Sequence, residues 1–298
     1  GSDRGVQRFN GSSFITYRHL NADSNSLVND YISYIMEDSD HDIWLATADG
    51  ISKFNYRNGK FTNFSVGYNG SEKVKMGDMF WLLQDSKGRL WAGARSGMFL
   101  FNKQTNRFEN YPPQKDSSNQ PGFFVRVSCI RENKKGEIIF SVIDGFVIIG
   151  TDGKQQYLHM PLPNVKIPNH IPTNQLMLPE DYPDEIWVSA NLNGLFKYER
   201  SKNKWTNYLS KGVLVADLVK KACIAWNKDE WLLGYDNLCF FNHRTGVFRQ
   251  PFDKSLRSVY NICRDENNIL WITSNVNGLY RVNLSDQLYS SMEHIPGI

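Results

Sequence analysis

"DIWLATADGISKFNYRNGKFTNF", residues 42–64, reads as three short strands separated by turns. Nearly the same phrase returns as "RLWAGARSGMFLFNKQTNRFENY" at 89–111 and as "EIWVSANLNGLFKYERSKNKWTNY" at 185–208. A phrase that recurs at a fixed period is the unit of architecture. Aligning on the residue that starts the second strand of each copy gives Trp44, Trp91, Ile139, Trp187, Trp231 and Trp271, at intervals of 47, 48, 48, 44 and 40 residues. A few positions later stands a glycine, at Gly50, Gly97, Gly145, Gly194 and Gly278, with Asn237 in the fifth copy. Gly and Asn tolerate positive φ, so a tight connection is expected there. Gly5, followed by "VQRF", lies 45 residues before Gly50 and marks a further, partial copy.

Upstream of each of these positions is another strand with a fixed aliphatic: Ile35, Leu82, Ile130, Leu178, Ile224 and Ile262. Asp38, Asp85, Asn133, Asp181 and Asp265 then begin a short turn, with Asn227 in the same role. Their short side-chain oxygens accept hydrogen bonds from turn N–H groups. Each copy is therefore four strands: an inner one ending at the Asp, one carrying the Trp, one after the Gly, and an outer one such as "FTNF" or "FENY". Segments such as "YISYIM", "MFWLL" and "FVIIG" are apolar on both faces, so each sheet is expected to lie between two others. Radial stacking of four-stranded sheets meets that demand. The expected fold is all-β: a β-propeller of four-stranded antiparallel blades in one domain, 1–298, with an incomplete first blade. The copies run roughly 1–26 (partial), 27–72, 73–120, 121–172, 173–213, 214–253 and 254–298. Seven blades is the leading count, and six the alternative if Val6–Phe9 and Phe14–Tyr17 complete the last sheet.

The chain has 298 residues, 41% hydrophobic and 13% aromatic, with a net charge of +3. That charge is too small, and the Lys/Arg residues too dispersed, to point to nucleic acid. No apolar run approaches the ~20 residues that span a bilayer, and no leader is visible. "GSDRGVQRF" already reads as the tail of a repeat, so the chain is expected to be a piece of a longer protein. Cys129, Cys223, Cys239 and Cys263 fall in different copies or across an intervening strand and are expected as small buried hydrophobes.

"DSDHDIWLATAD" (38–49) has calcium-loop acids but places Ile43 where the sharp turn needs glycine. The histidines show no metal-binding spacing. No cofactor, metal or catalytic residue is expected, although Asp49, Asp144 and Asp236 sit at the repeat glycine, where a carboxylate either caps the turn or reaches one rim. The geometric argument favours binding. In a propeller the second-to-third-strand loops gather on one face, together with the connections leading into the inner strands. Here those loops read "TADG", "ARSG", "VIDG", "ANLNG", "GYDN" and "SNVNG". They offer Arg95, Asn191, Asn193, Tyr235, Asp236, Asn275 and Asn277, whose forked hydrogen bonding suits sugar hydroxyls, with Arg95 suited to an anionic group. Trp81, Trp226 and Tyr260 are expected to pack between blades or to wall the channel. Residues 151–175 are too long for a simple connection and read as a lid, a partner contact or an unstructured excursion.

"DSDHDIWLATADGISKF" (38–54) and "DSKGRLWAGARSGMFLF" (85–101), with "RFNGSSFITYRHLNADSNSLVNDYISYI" (8–35) leading into the next copy, resemble the two-component regulator propeller repeat. Copy three departs by lacking the Trp and copy five by lacking the Gly. The resemblance implies a periplasmic sensor region of a Bacteroidetes hybrid two-component system. In that family two seven-bladed propellers precede an immunoglobulin-like sandwich, a membrane helix, a histidine kinase and a DNA-binding response regulator. It implies an oligosaccharide ligand, control of polysaccharide-utilisation genes, contacts with the neighbouring domains, a receptor homodimer, and membrane attachment only through segments outside this chain. The rival expectations are a propeller glycoside hydrolase or polysaccharide lyase, and a protein-docking scaffold.

Overall fold

The computed structural model describes residues 4–9, 12–111, 126–161, 173–190, 194–208, 222–234, 238–249, 258–274, 276, 278–283 and 293–295. All of its regular elements are strands, and they fall into two compact units, Gly1–His159 and Met160–Ile298.

The first unit opens with a two-stranded hairpin, β1 (Val6–Phe9) and β2 (Phe14–Tyr17). Blade 1 follows as β3 (Ile32–Glu37), β4 (Ile43–Thr47), β5 (Gly50–Asn55) and β6 (Lys60–Phe64). A second hairpin, β7 (Val66–Asn69) and β8 (Glu72–Lys75), precedes blade 2, which is β9 (Met79–Gln84), β10 (Leu90–Ala94), β11 (Gly97–Asn102) and β12 (Arg107–Asn110). Blade 3 is β13 (Ile130–Glu132), β14 (Ile138–Val142), β15 (Gly145–Ile149) and β16 (Gln155–His159).

The second unit holds blade 4, with β17 (Thr173–Met177), β18 (Glu185–Ala190), β19 (Gly194–Glu199) and β20 (Lys204–Tyr208). Blade 5 is β21 (Ala222–Ala225), β22 (Glu230–Gly234), β23 (Leu238–Asn242) and β24 (Val247–Arg249). Blade 6 is β25 (Val259–Arg264), β26 (Ile269–Ser274), β27 (Gly278–Asn283) and β28 (Glu293–Ile295).

Within every blade the strands pair antiparallel in chain order. Among the described residues the count is therefore six complete blades, the alternative number rather than seven. The reason differs from the one expected: blade 6 draws its outer strand from Glu293–Ile295, and β1–β2 remains a sheet of its own.

Burial on both faces is visible in blade 1. Leu45, Phe54 and Phe61 face Val6 and Tyr17 of the first hairpin, whereas Trp44, Ala46 and Ile51 face Met79, Leu82, Ala92 and Phe99 of blade 2. In the second unit Trp187 has no exposed surface and meets Trp231 edge-on at 5.2 Å and Phe241 at 5.5 Å. Trp81 stacks on Tyr34 of blade 1 at 4.2 Å and lies under Arg131 of blade 3 at 4.6 Å, so it packs between blades. Trp226 meets Phe240 at 5.0 Å in the blade 5–blade 6 core. The side chain of Tyr260 lies outside the described residues.

The turn acids do more than close turns. Asp38, Asp85 and Asp265 each accept the indole N–H six residues on, from Trp44, Trp91 and Trp271, at 2.7–2.8 Å. Blade 4 differs: its turn bonds Tyr182 N to Pro179 O and Glu185 N to Tyr182 O, and the Trp187 indole donates to Glu185 rather than to Asp181. The repeat glycine has a second cause besides φ. Gly50 takes φ 131°, but Gly145 is not in the left-handed region; there a Cβ would sit on Leu158 O of the adjoining outer strand.

Two expectations change outright. Cys129 and Cys239 are buried, and burial pushes the Cys239 thiol up to about 12, but Cys263 is exposed because it sits on the side of β25 that turns away from the blade 5–blade 6 core. The side chain of Cys223 lies outside the described residues. The segment 151–175 is not one insertion: Gln155–His159 is the outer strand of blade 3 and Thr173 begins blade 4, while 162–172 lies outside the described residues.

Candidate functional site

Of the sequence-predicted ligand residues, Arg95 alone lies among the described residues; Asn191, Asn193, Tyr235, Asp236, Asn275 and Asn277 lie outside them. The rim that can be followed is that of the first unit, where three equivalent loops differ in chemistry. In blade 1, Asp49 accepts from Asn29 Nδ2 at 2.7 Å and has Lys75 Nζ at 3.8 Å. This carboxylate is already spoken for.

In blade 2 the loop 95–96 is held by the segment leading into β9. Arg95 N donates to Asp78 O at 2.8 Å, and Ser96 Oγ donates to Met76 O at 2.7 Å. The Arg95 side chain, half-exposed, places Nε 2.7 Å from Asp78 Oδ2 and its guanidinium over the Phe80 ring at 5.8 Å. The segment leading into β13 closes against the same loop: Arg126 N donates to Arg95 O at 3.1 Å and Val127 N to Ala94 O at 3.0 Å. Arg126 sits in the left-handed region at φ 58° and lays its guanidinium over Phe80 at 5.2 Å. Burial, then the neighbouring Arg95 charge, lower the Arg126 pKa, and Asp78 opposes them.

Asp78 and Arg126 are the residues that sequence reasoning missed. A signal existed, because each stands four positions before the fixed aliphatic of its inner strand, Leu82 or Ile130, as Tyr31 does before Ile35. The connections leading into the inner strands lie against the loop that carries Arg95.

Blade 3 carries Asp144, which accepts from the Tyr157 hydroxyl and lies 3.0 Å from His159 Nδ1. The two rings are 4.3 Å apart. Burial first, then the Asp144 hydrogen bond and charge, push the Tyr157 phenol far up. A proton donor works best with a pKa near the working pH, and this one moves away from it. Among the described residues no three His, Cys, Asp or Glu side chains converge as metal ligands. His243 stacks on Trp231 at 4.6 Å in the blade 4–blade 5 core. No helix among the described residues is long and apolar enough to cross a membrane.

Among the described residues, six blades of four antiparallel strands, one of them extended by a hairpin, with both faces covered where they stack, define the fold class, a β-propeller. Residues 26–49 match the two component regulator propeller family. No curated protein matches the chain.

Among solved structures, the extracellular domain of BT4673 from B. thetaiotaomicron is similar in two depictions. As a one component system it has TM-score 0.68 and 18% identity over 95% of this chain and 36% of that one. As a hybrid two component system it has TM-score 0.55 and 16% identity over 89% and 39%. A streptogramin B lyase is similar at TM-score 0.64 and 16% identity, over 91% of this chain and 84% of the lyase. The chain thus spans well under half the length of the BT4673 domain.

Proposed function

We propose that this propeller is the ligand-sensing, extracytoplasmic part of a hybrid two-component system sensor, placed in the periplasm, and that it recognises an oligosaccharide and so regulates polysaccharide-utilisation genes. The match of residues 26–49 to the two component regulator propeller carries the reading, and the likeness to an extracellular sensor domain agrees with it. The rim supports binding rather than turnover. Its donors are held by backbone and side-chain contacts, and burial with the Asp144 hydrogen bond pushes the Tyr157 phenol away from the range useful for proton transfer. A bound ligand shifts a receptor only if it favours one of two arrangements. In a full-length homodimer that bias would pass through a second propeller and an immunoglobulin-like sandwich.

Calorimetry of the complete ectodomain against a panel of oligosaccharides tests this, paired with transcription of the target genes. One glycan class should bind and the same class should induce. A second reading is a propeller glycoside hydrolase or polysaccharide lyase; a streptogramin B lyase has a similar fold, so the fold by itself does not exclude an enzyme. Glycan cleavage by the purified chain would establish it and end the sensor reading. Tight capture of a protein with no glycan binding would instead favour a docking scaffold.

A further inference from the structure

We propose that Arg126 and Arg95, lying over the common ring of Phe80, form a subsite at the blade 2 rim for one oxyanion, a carboxylate or sulfate ester carried by an acidic saccharide. The saccharide rests on the function proposed above; the oxyanion stands without it.

The argument is one of charge left over. Asp78 pairs with Arg95 at 2.7 Å, and among the described residues it is also the carboxylate whose charge acts on Arg126, opposing that of Arg95. The Arg126 Nε is buried and has no hydrogen-bond partner among the described residues. A buried, unpaired donor is costly, and more so when it belongs to a cation. The cation–π contacts to Phe80 at 5.2 and 5.8 Å return part of that cost but satisfy no N–H. Backbone strain adds to it, since Arg126 is a non-glycine residue at φ 58°. That conformation is fixed by the Arg126 N–H to Arg95 O bond and its neighbour from Val127, so the two side chains are presented side by side before any ligand arrives. Guanidinium groups only donate, and their planar fork matches carboxylate and sulfate oxygens. A neutral sugar hydroxyl would leave the charge unanswered.

The test is a titration of the purified chain, at fixed ionic strength, with sodium glucuronate, glucose 6-sulfate, methyl glucuronate ester and glucose. The two anions should bind saturably, and the neutral ester and glucose at least about tenfold more weakly. Comparing the two anions distinguishes the carboxylate source from the sulfate source. Arg126→Gln and Arg95→Gln should each weaken the anion about tenfold or more, with Arg126→Lys falling between because it keeps charge without the fork. Without ligand, Arg126→Gln should melt at the same temperature as the parent or above it. Equal binding of glucose and glucuronate, undiminished anion binding in Arg126→Gln, or a melting temperature lowered by that substitution would each overturn the proposal. Neutral oligosaccharide binding with no anion preference overturns this subsite and leaves the sensor reading intact. Anion binding with no transcriptional response does the reverse.

Discussion

Asp85 is closed off from solvent, and four hydrogen bonds converge on its carboxylate: from the Lys87 and Arg89 backbone, Arg89 Nε and the Trp91 indole. Burial would raise its pKa, but these bonds and the Arg89 charge hold it below the ordinary value of 3.8. The stability it contributes is therefore complete above that value and is lost as pH falls through the lower, folded one. Asp85→Ala should cost about 2–3 kcal/mol in urea unfolding, since it orphans a buried indole and a guanidinium. The gap between variant and parent should stay constant down to about pH 4 and close below it. Trp187→Ala should cost about 3–5 kcal/mol, because it empties the space between Tyr208, Trp231 and Phe241. The turn role of these acids was legible from position alone. The indole bond was not, because it joins residues six apart across a change of strand, where neither helical nor strand periodicity brings side chains together. Arg95 is picked out by its place in a repeat loop and Arg126 by its place four residues before Ile130, but their adjacency rests on a backbone bond made across 31 positions of sequence, which no local pattern reveals.

The hairpin β7–β8 is the element that the repeat pattern concealed. It straps onto blade 2 through parallel pairing of Gly67 with Phe108 and Tyr68 with Glu109, extending that sheet to six strands. Gly67 is there for space: a Cβ would enter the Phe99 ring. Gly67→Val should cost about 1–3 kcal/mol through overpacking and should release the strap. Proteolysis within 66–75 would reveal that release. The strap reads as a connector because "SVGYNGSEKVK" is polar, but Gly70 at φ 62° opens a two-residue turn of the kind that favours hairpins. Its outermost strand, "EKVK", is charged, as an edge exposed to other chains needs to be. Neighbouring blades are also joined by the loops after Asp38 and Asp85: Ser39 N donates to Gln84 Oε1 at 2.6 Å, and Ser86 N to Glu132 Oε2 at 2.7 Å. The four strands per copy were legible because Trp, Gly and Asp landmarks recur; the strap occurs once among the described residues, and a feature without a second copy leaves no period to find.

Taken over the whole chain, the first unit grades from a half-covered start to a fully covered middle. The β1–β2 hairpin leaves Phe9 and Ile15 exposed, whereas every residue of β10 is buried between blades 1 and 3. Amide hydrogens of β10 should therefore exchange last and those of β1–β2 roughly tenfold or more faster, with exchange mass spectrometry as the check. Uniform exchange across the unit would overturn this gradient. The six-blade count was legible as an alternative, and the half-blade was placed correctly at Gly5; what decided the count was the outer strand of blade 6, drawn from a stretch without landmark residues. The strap, finally, governs where this molecule tolerates a cut. Blade 1 hands its chain to blade 2 through paired backbone rather than a bare linker, so the two cannot be exchanged as cassettes by splicing at Ser65. An engineer shuffling blades, or a genome duplicating them, would have to move the pair together.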